Sequence, residues 1–209
     1  MKVMSFNCRG LAGPLKKPTL KRVVLLEHRD IILLQETLGV GEEVQSHLEG
    51  MFLGRNFECL DLRGRSGGLD LCWNTRLVKA LNVWGVDSSL GISFKTRDLE
   101  EEFSIINVYR PYQDRVPFWE TMFNKTFLSG DSVILGGDLN FSLGQAKVWG
   151  RNARVDILAD LFTQRLATKN LLDIEPVRLK PTWRNNRTRD SRIAKRLDRF
   201  LVSDSLVDR

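Results

Sequence analysis

The stretch Val133-Ile134-Leu135-Gly136-Gly137-Asp138-Leu139-Asn140-Phe141 constrains this chain more than any other. An apolar run bounded by turn formers is the pattern of a short, fully buried strand. Its end delivers two glycines, a carboxylate and, two positions on, a carboxamide. Glycine lets the backbone approach whatever sits there. If the chain stays extended, Asp138 and Asn140 share one side, because strand side chains alternate. An acceptor-only carboxylate beside a donor-and-acceptor amide suits a site that handles phosphate and water. The same letters describe an Asx-rich turn closing a core strand, and the stretch alone leaves both readings open.

A strand buried on both faces needs covering layers, and 209 residues supply enough chain for them. Apolar residues are 42% and charged residues 28%, which excludes the disordered and membrane-embedded classes. No apolar run approaches the roughly 18 residues of a membrane span. The first residues lack a signal-peptide pattern and read as a strand that begins at once. Cys8, Cys59 and Cys72 are widely spaced and form no CxxC pair. Reduced thiols in an intracellular protein are therefore expected, rather than disulfides or a zinc site.

The formal charge is +6, which favours a polyanionic partner. Its distribution says more. Arg184, Arg187, Arg189, Arg192, Lys195, Arg196 and Arg199 lie close together, opposed only by Asp190 and Asp198. Contact with phosphates is the sharper reading of that segment, and a solvated loop is the bland one.

Along the chain, Val3 to Phe6 reads as a strand ending in Asn7-Cys8-Arg9-Gly10. Pro14 and Pro18 fall in a basic loop, and Thr19 caps a helix from Leu20 to about Arg29. Ile31 to Leu34 is a second buried strand, ending in Gln35-Glu36-Thr37. Strand, helix and strand in such close succession suggest a βαβ-like unit. A short helix follows near Glu42 to Leu48. His28 and His47 read as surface residues.

From Asn56 to Arg110, short apolar runs broken by Gly, Asn, Asp and Ser read as a meander of antiparallel strands. Asp114 caps a helix with Pro117 in its first turn. A second helix spans about Val155 to Lys169, with Val155, Leu158, Leu161, Phe162 and Leu166 on one face. Arg196 to Val202 is a last alternating strand. No repeat or linker interrupts the chain, so residues 1–209 read as a single α/β domain with helices outside.

Polar groups recur at the ends of these apolar strands: Asn7, Glu36, Tyr109 with Arg110, Asp138 with Asn140, and Asp198. Their shared placement implies convergence at one rim. Hard oxygen donors without Cys or His suit Mg²⁺ or Mn²⁺.

Ser5-Phe6-Asn7-Cys8-Arg9-Gly10, Leu34-Gln35-Glu36-Thr37, Ser66-Gly67-Gly68, Asn107-Val108-Tyr109, Gly136-Gly137-Asp138-Leu139-Asn140 and Arg196-Leu197-Asp198-Arg199 occur in a telling order. They resemble the motifs of the endonuclease/exonuclease/phosphatase superfamily, the relatives of DNase I and the apurinic endonucleases. Trp149 to Arg154, and Leu172-Asp173-Ile174 running on to Pro181-Thr182-Trp183-Arg184-Asn185-Asn186, look like the endonuclease domain of plant LINE-type retrotransposons. The resemblance implies a four-layer α/β sandwich, two packed sheets flanked by helices. It implies a metal held by Glu36 with Asn7 beside it, and Asp138 orienting or deprotonating water. Asn140 would hold the phosphate, Tyr109 would stabilise its charge, and Asp198 would orient a histidine. Arg110, Thr182, Trp183, Arg184 and Arg187 are the candidate contacts to a DNA backbone. A monomer acting on DNA in the nucleus, with no membrane partner, is the accompanying expectation.

Two departures from the pattern stand out. The family's Ser-Asp-His motif is absent from these residues, so the chain reads as C-terminally truncated and catalytically impaired. Arg110 stands where a glycine commonly follows the tyrosine. The sequence thus leaves a weakened DNA-nicking enzyme against an inactive remnant that binds nucleic acid. A phosphatase acting on phosphoinositides or other small esters is a third reading, disfavoured by the basic segment.

Overall fold

A computed structural model describes the chain except for residues 12, 40, 62–66, 87, 97–101, 111–112, 131 and 208–209, with backbone alone at 41 and 129. Its elements run in chain order as β1 (Val3–Asn7), α1 (Lys16–Leu26), β2 (Ile31–Gln35), α2 (Gly41–Met51), β3 (Arg55–Leu60), β4 (Leu69–Asn74), β5 (Val78–Val86), β6 (Ser89–Thr96) and β7 (Phe103–Tyr109). There follow α3 (Arg115–Phe123), β8 (Val133–Asp138), β9 (Val148–Trp149), α4 (Ala159–Thr168), β10 (Leu171–Asp173), β11 (Trp183–Arg184), β12 (Ala194–Lys195) and β13 (Asp198–Ser203). The architecture is mixed α/β, with sheets of four, six and three strands among the described residues. Two compact units divide it: residues 1–109 with Ile134–Gly137, and residues 110–133 with 138–209.

In the first unit, β1 pairs parallel with β2, from Val3 beside Ile31 to Asn7 beside Gln35. Parallel neighbours need a crossover, and α1 supplies it. β4 and β3 extend this sheet in antiparallel fashion, in the order β1-β2-β4-β3. Every residue of β2 is buried, as a strand covered on both faces must be. Leu20 and Val24 of α1 and Val44 and Leu48 of α2 join Ile32, Leu34, Cys72 and Phe57 in one core. The unit's other strands run β8-β7-β6-β5. The two layers meet at Trp73 and Phe94, whose rings lie 5.7 Å apart.

The expected meander is therefore split: β3 and β4 belong to one layer, and β5, β6 and β7 to the other. The Asn74–Leu77 turn makes the change, with the Leu77 N–H donating to the Asn74 carbonyl. Close approach fixes one glycine here. Gly137 has φ +143°, and a Cβ on it would collide with the Val108 carbonyl of β7. Ser66, expected to help open a strand, lies outside the described residues.

In the second unit, β10 pairs antiparallel with β13, and β11, β12 and β9 form the three-stranded sheet. Helices α3 and α4 meet in an aromatic core. Trp119 stands edge-on to Phe141 and Phe162, while Phe141 and Phe162 stack with centroids 3.4 Å apart. Such pairs add about 0.5–1.5 kcal/mol beyond the area they bury.

Helix boundaries differ from the sequence pattern for local reasons. α1 begins at Lys16, so Pro18 sits in its first turn, where its missing N–H costs little. Thr19 is inside the helix and donates its hydroxyl to the Leu15 carbonyl rather than capping. Asp114 occupies the position before α3 with φ +53° and makes no side-chain cap. α4 starts only at Ala159, because Asp156 turns inward and accepts the Leu158 N–H at 3.1 Å. Val155 and Ile157, which extend the apolar periodicity, are exposed.

Candidate active site

The first unit places Asn7, Glu36 and Tyr109 at strand ends. β2 stops at Gln35, and Glu36 leaves it with φ +51°. The parallel register sets Asn7 beside Gln35, and the Asn7 amide Nδ2 donates to Glu36 Oε1 at 2.7 Å. Asn7 Oδ1 in turn accepts the Arg9 N–H at 3.1 Å. Lys16 Nζ holds the following loop through the Cys8 and Gly10 carbonyls, at 3.0 and 2.9 Å. Tyr109 ends β7, buried, with its N–H on the Ser88 carbonyl.

Beneath these groups lies a buried polar layer whose bonding the motifs alone do not reveal. Asn107, fully buried, donates to the Leu34 and Asp70 carbonyls at 2.8 and 2.9 Å and accepts the Gln35 amide at 2.6 Å. Asp70 is also buried, facing the Cys59 thiol and Thr37 hydroxyl, and desolvation raises its carboxyl above the ordinary 3.8. Burial pushes the Cys8 thiol up as well, and Cys72 to about 12. Such thiols are inert.

The second unit brings together Asp138, Asn140, Arg110, Thr182, Trp183 and Asp198. β8 ends at Asp138, and the chain does not stay extended: Asn140 has φ +54°. Its N–H donates to Asp138 Oδ1 at 3.2 Å, so the two candidate residues are joined by an Asx turn rather than by strand alternation. The turn and the polar site are one structure. Asn140 Nδ2 donates to the Arg110 carbonyl at 2.8 Å, and the Arg110 N–H to the Asp138 carbonyl at 3.1 Å. Between the two site residues, the Leu139 N–H reaches the Leu197 carbonyl at 3.2 Å, next to Asp198. Thr182 Oγ1 accepts the Leu197 and Asp198 N–H groups at 3.0 and 3.1 Å, pinning the start of β13.

Beside Asn140 opens a cleft of about 350 Å³, lined by Arg115, Trp183, Asn185, Ile193, Lys195 and Leu197. Asn185 stitches the hairpin above it, donating to the Ser191 carbonyl and accepting the Arg187 and Ile193 N–H groups. The Arg110 side chain is otherwise engaged. It caps the Phe118 ring at 4.8 Å and donates to the Gln113 carbonyl.

The basic segment divides in two. Arg184, Arg187, Arg189 and Arg192 are exposed. Arg196 and Arg199, counted with them on sequence grounds, are buried: both bond Asp173, as does Lys147. Arg199 also lies over the Phe141 ring at 4.7 Å, and desolvation lowers its guanidinium to about 10. These two arginines are structural, because Asp173 on β10, the strand paired with β13, bonds both of them. His28 and His47 are exposed, as the sequence suggests.

The structure matches solved proteins along nearly its whole length. The endonuclease domain of TRAS1, a telomere-specific non-LTR retrotransposon, superposes with a TM-score of 0.74 at 16% identity, covering 99% of this chain and 86% of that one. The AP endonuclease LMAP from Leishmania major gives 0.71 at 18% identity, covering 98% and 79%. An endonuclease/exonuclease/phosphatase family protein from Bacteroides thetaiotaomicron gives 0.67 at 17%, covering 97% and 83%. The fold is DNase I-like. No protein-family model and no curated sequence matches the chain.

Proposed function

We propose that this chain is a divalent-metal-dependent phosphodiesterase of the DNA-nicking endonuclease type, derived from a LINE-like retroelement and acting on nuclear DNA. The observation that carries the reading is the tip of β8. A buried strand delivers Asp138 and Asn140, locked by an Asx turn, beside a cleft whose neighbouring hairpin exposes four arginines. The names of two similar structures, a retrotransposon endonuclease and an AP endonuclease, support the substrate class.

Glu36, steadied by Asn7, would hold Mg²⁺ or Mn²⁺. The oxygens offered here are the Glu36 carboxylate and, beside it, the Asn7 amide. That set fits Mg²⁺, which takes one or two carboxylates and keeps much of its water. When bound, the ion neutralises charge on the phosphate. The chain's own groups do the rest. Asp138 accepts a hydrogen bond from the attacking water and aligns it. Asn140 has two N–H donors; one goes to Arg110, and the other serves a phosphate oxygen. Tyr109 supports the developing charge, and Asp198 orients the site from the start of β13. Arg184, Arg187, Trp183 and Thr182 contact or frame the DNA backbone.

Neither exposed histidine supplies the general acid–base group, whose absence costs about 10²–10⁴-fold in rate. Slow nicking is therefore expected of these 209 residues. The test is relaxation of supercoiled plasmid in Mg²⁺. Weak nicking, abolished by EDTA and by Glu36→Ala, supports the reading. Salt-sensitive DNA binding with no Glu36-dependent cleavage would replace it with a binding remnant.

A further inference from the structure

Asn140 is clamped from four directions, and one clamp has no counterpart in the motifs. Its N–H is held by Asp138, its side-chain amide by Arg110, and the next residue, Phe141, is fully buried in the aromatic core. The fourth clamp is Arg115. Its Nη1 donates to the Asn140 carbonyl at 2.7 Å and to Asp156 Oδ2 at 2.7 Å, while Nη2 donates to Asp156 Oδ1 at 3.1 Å. Both side chains are nearly sealed from water, at 11% and 2% exposure. Asp156 is itself fixed at the entrance of α4 by the Leu158 N–H.

We propose that Arg115 is a positioning residue for Asn140, with Asp156 as its anchor. The inference rests on the reading of Asn140 as the phosphate-holding amide. The physical argument is one of geometry. Asn140 must hold a left-handed backbone for its amide to reach Arg110 on one side and a phosphate on the other. A peptide carbonyl free to swing would blur that direction, and a guanidinium fork tied to a buried carboxylate removes the freedom. Lysine cannot replace it, because one ammonium lacks the planar fork that spans two carboxylate oxygens and a carbonyl. The clamp joins the first residue of α3, the approach to α4 and the β8 tip, so the helices set the angle of the amide.

The experiment uses the full chain and the variants Arg115→Lys, Asp156→Asn, Asn140→Ala and Arg115→Lys/Asn140→Ala. Plasmid nicking is followed under saturating and limiting DNA, with thermal midpoints measured alongside. Misplacing a binding group by an ångström can cost about 10²-fold. Arg115→Lys should therefore lower kcat by about that factor and leave KM within about twofold. It should add nothing further in the Asn140→Ala background. An additive loss, or a loss confined to KM with a changed salt slope, would make Arg115 a direct phosphate contact and overturn the proposal.

A second readout needs no catalysis. The ¹³C Cα and Cβ shifts of Asn140 report its backbone region, and they should leave left-handed values in Arg115→Lys and Asp156→Asn while those of Asn107 stay. Unmoved Asn140 shifts overturn the inference even if nicking is robust. Absent Glu36-dependent nicking in the wild type instead overturns the functional reading, and the shifts then decide the role of Arg115 alone.

Discussion

The tips of β2 and β8 pose the same problem and solve it differently. Each is a buried apolar strand whose first polar turn places a residue in the left-handed region, Glu36 at φ +51° and Asn140 at φ +54°. Asparagine visits that region readily; a glutamate there costs roughly 1–2 kcal/mol. Around Asn140 the chain supplies an Asx turn, a buried ion pair and an aromatic anchor. At Glu36 the side chain is met by Asn7 and the carbonyl by the Gly10 N–H. The lesson is that β8 holds its amide where the backbone is at ease, whereas β2 holds its carboxylate in spite of the backbone.

Four substitutions break or sharpen that contrast. Asp138→Asn keeps the shape of the turn and removes the negative charge, so nicking should fall about 10²–10⁴-fold with an unchanged midpoint. Phe141→Ala removes the anchor of the same tip and should cost about 3–5 kcal/mol, read by denaturant unfolding. Equal stability would show that the aromatic core does not hold the β8 tip. Glu36→Gly should do the opposite on the other tip, losing metal-dependent nicking while raising stability by up to about 1 kcal/mol as strain is relieved. A clear loss of stability would mean that the Asn7 contact outweighs the strain.

The smallest effect concerns Asp70, in the polar layer below β2. Its carboxyl is raised by burial, so the folded chain keeps the proton over a range where the unfolded chain has lost it. Stability is then full below about pH 4 and declines as pH rises towards the folded value. Asp70→Asn should flatten this decline, with the gain in midpoint growing from about pH 4 upward and levelling off once the folded wild type has also released the proton. Parallel wild-type and variant curves would contradict it.

These contrasts also mark what could be read in the letters. β2 and the start of β8 were legible because short apolar runs ending in polar residues leave few alternatives, whereas the DNase I-like architecture was implied only by the resemblance of the ordered motifs. Other features depend on partners far away in sequence. Asp156 looked like one polar residue in a helical stripe, yet its inward turn for Arg115 shortens α4. Arg196 and Arg199 counted as surface charge until Asp173 claimed them. Asp70 gave no signal, since a buried polar residue within a strand is spelled like an exposed one, and Asn107 entered only as one letter of a motif, without its buried bonds. The extended geometry expected for Asn140 does not hold, because alternation assumes an extended chain and the Asx turn ends it.

Gly137 has a bearing on which mutations this fold tolerates. No L side chain fits between β8 and the Val108 carbonyl, so a codon change there would push the strand aside. The strand could thus be displaced with every acid, amide and arginine still encoded. Damage of that kind would escape any inventory of reactive residues, and only the spelling of a featureless position would betray it.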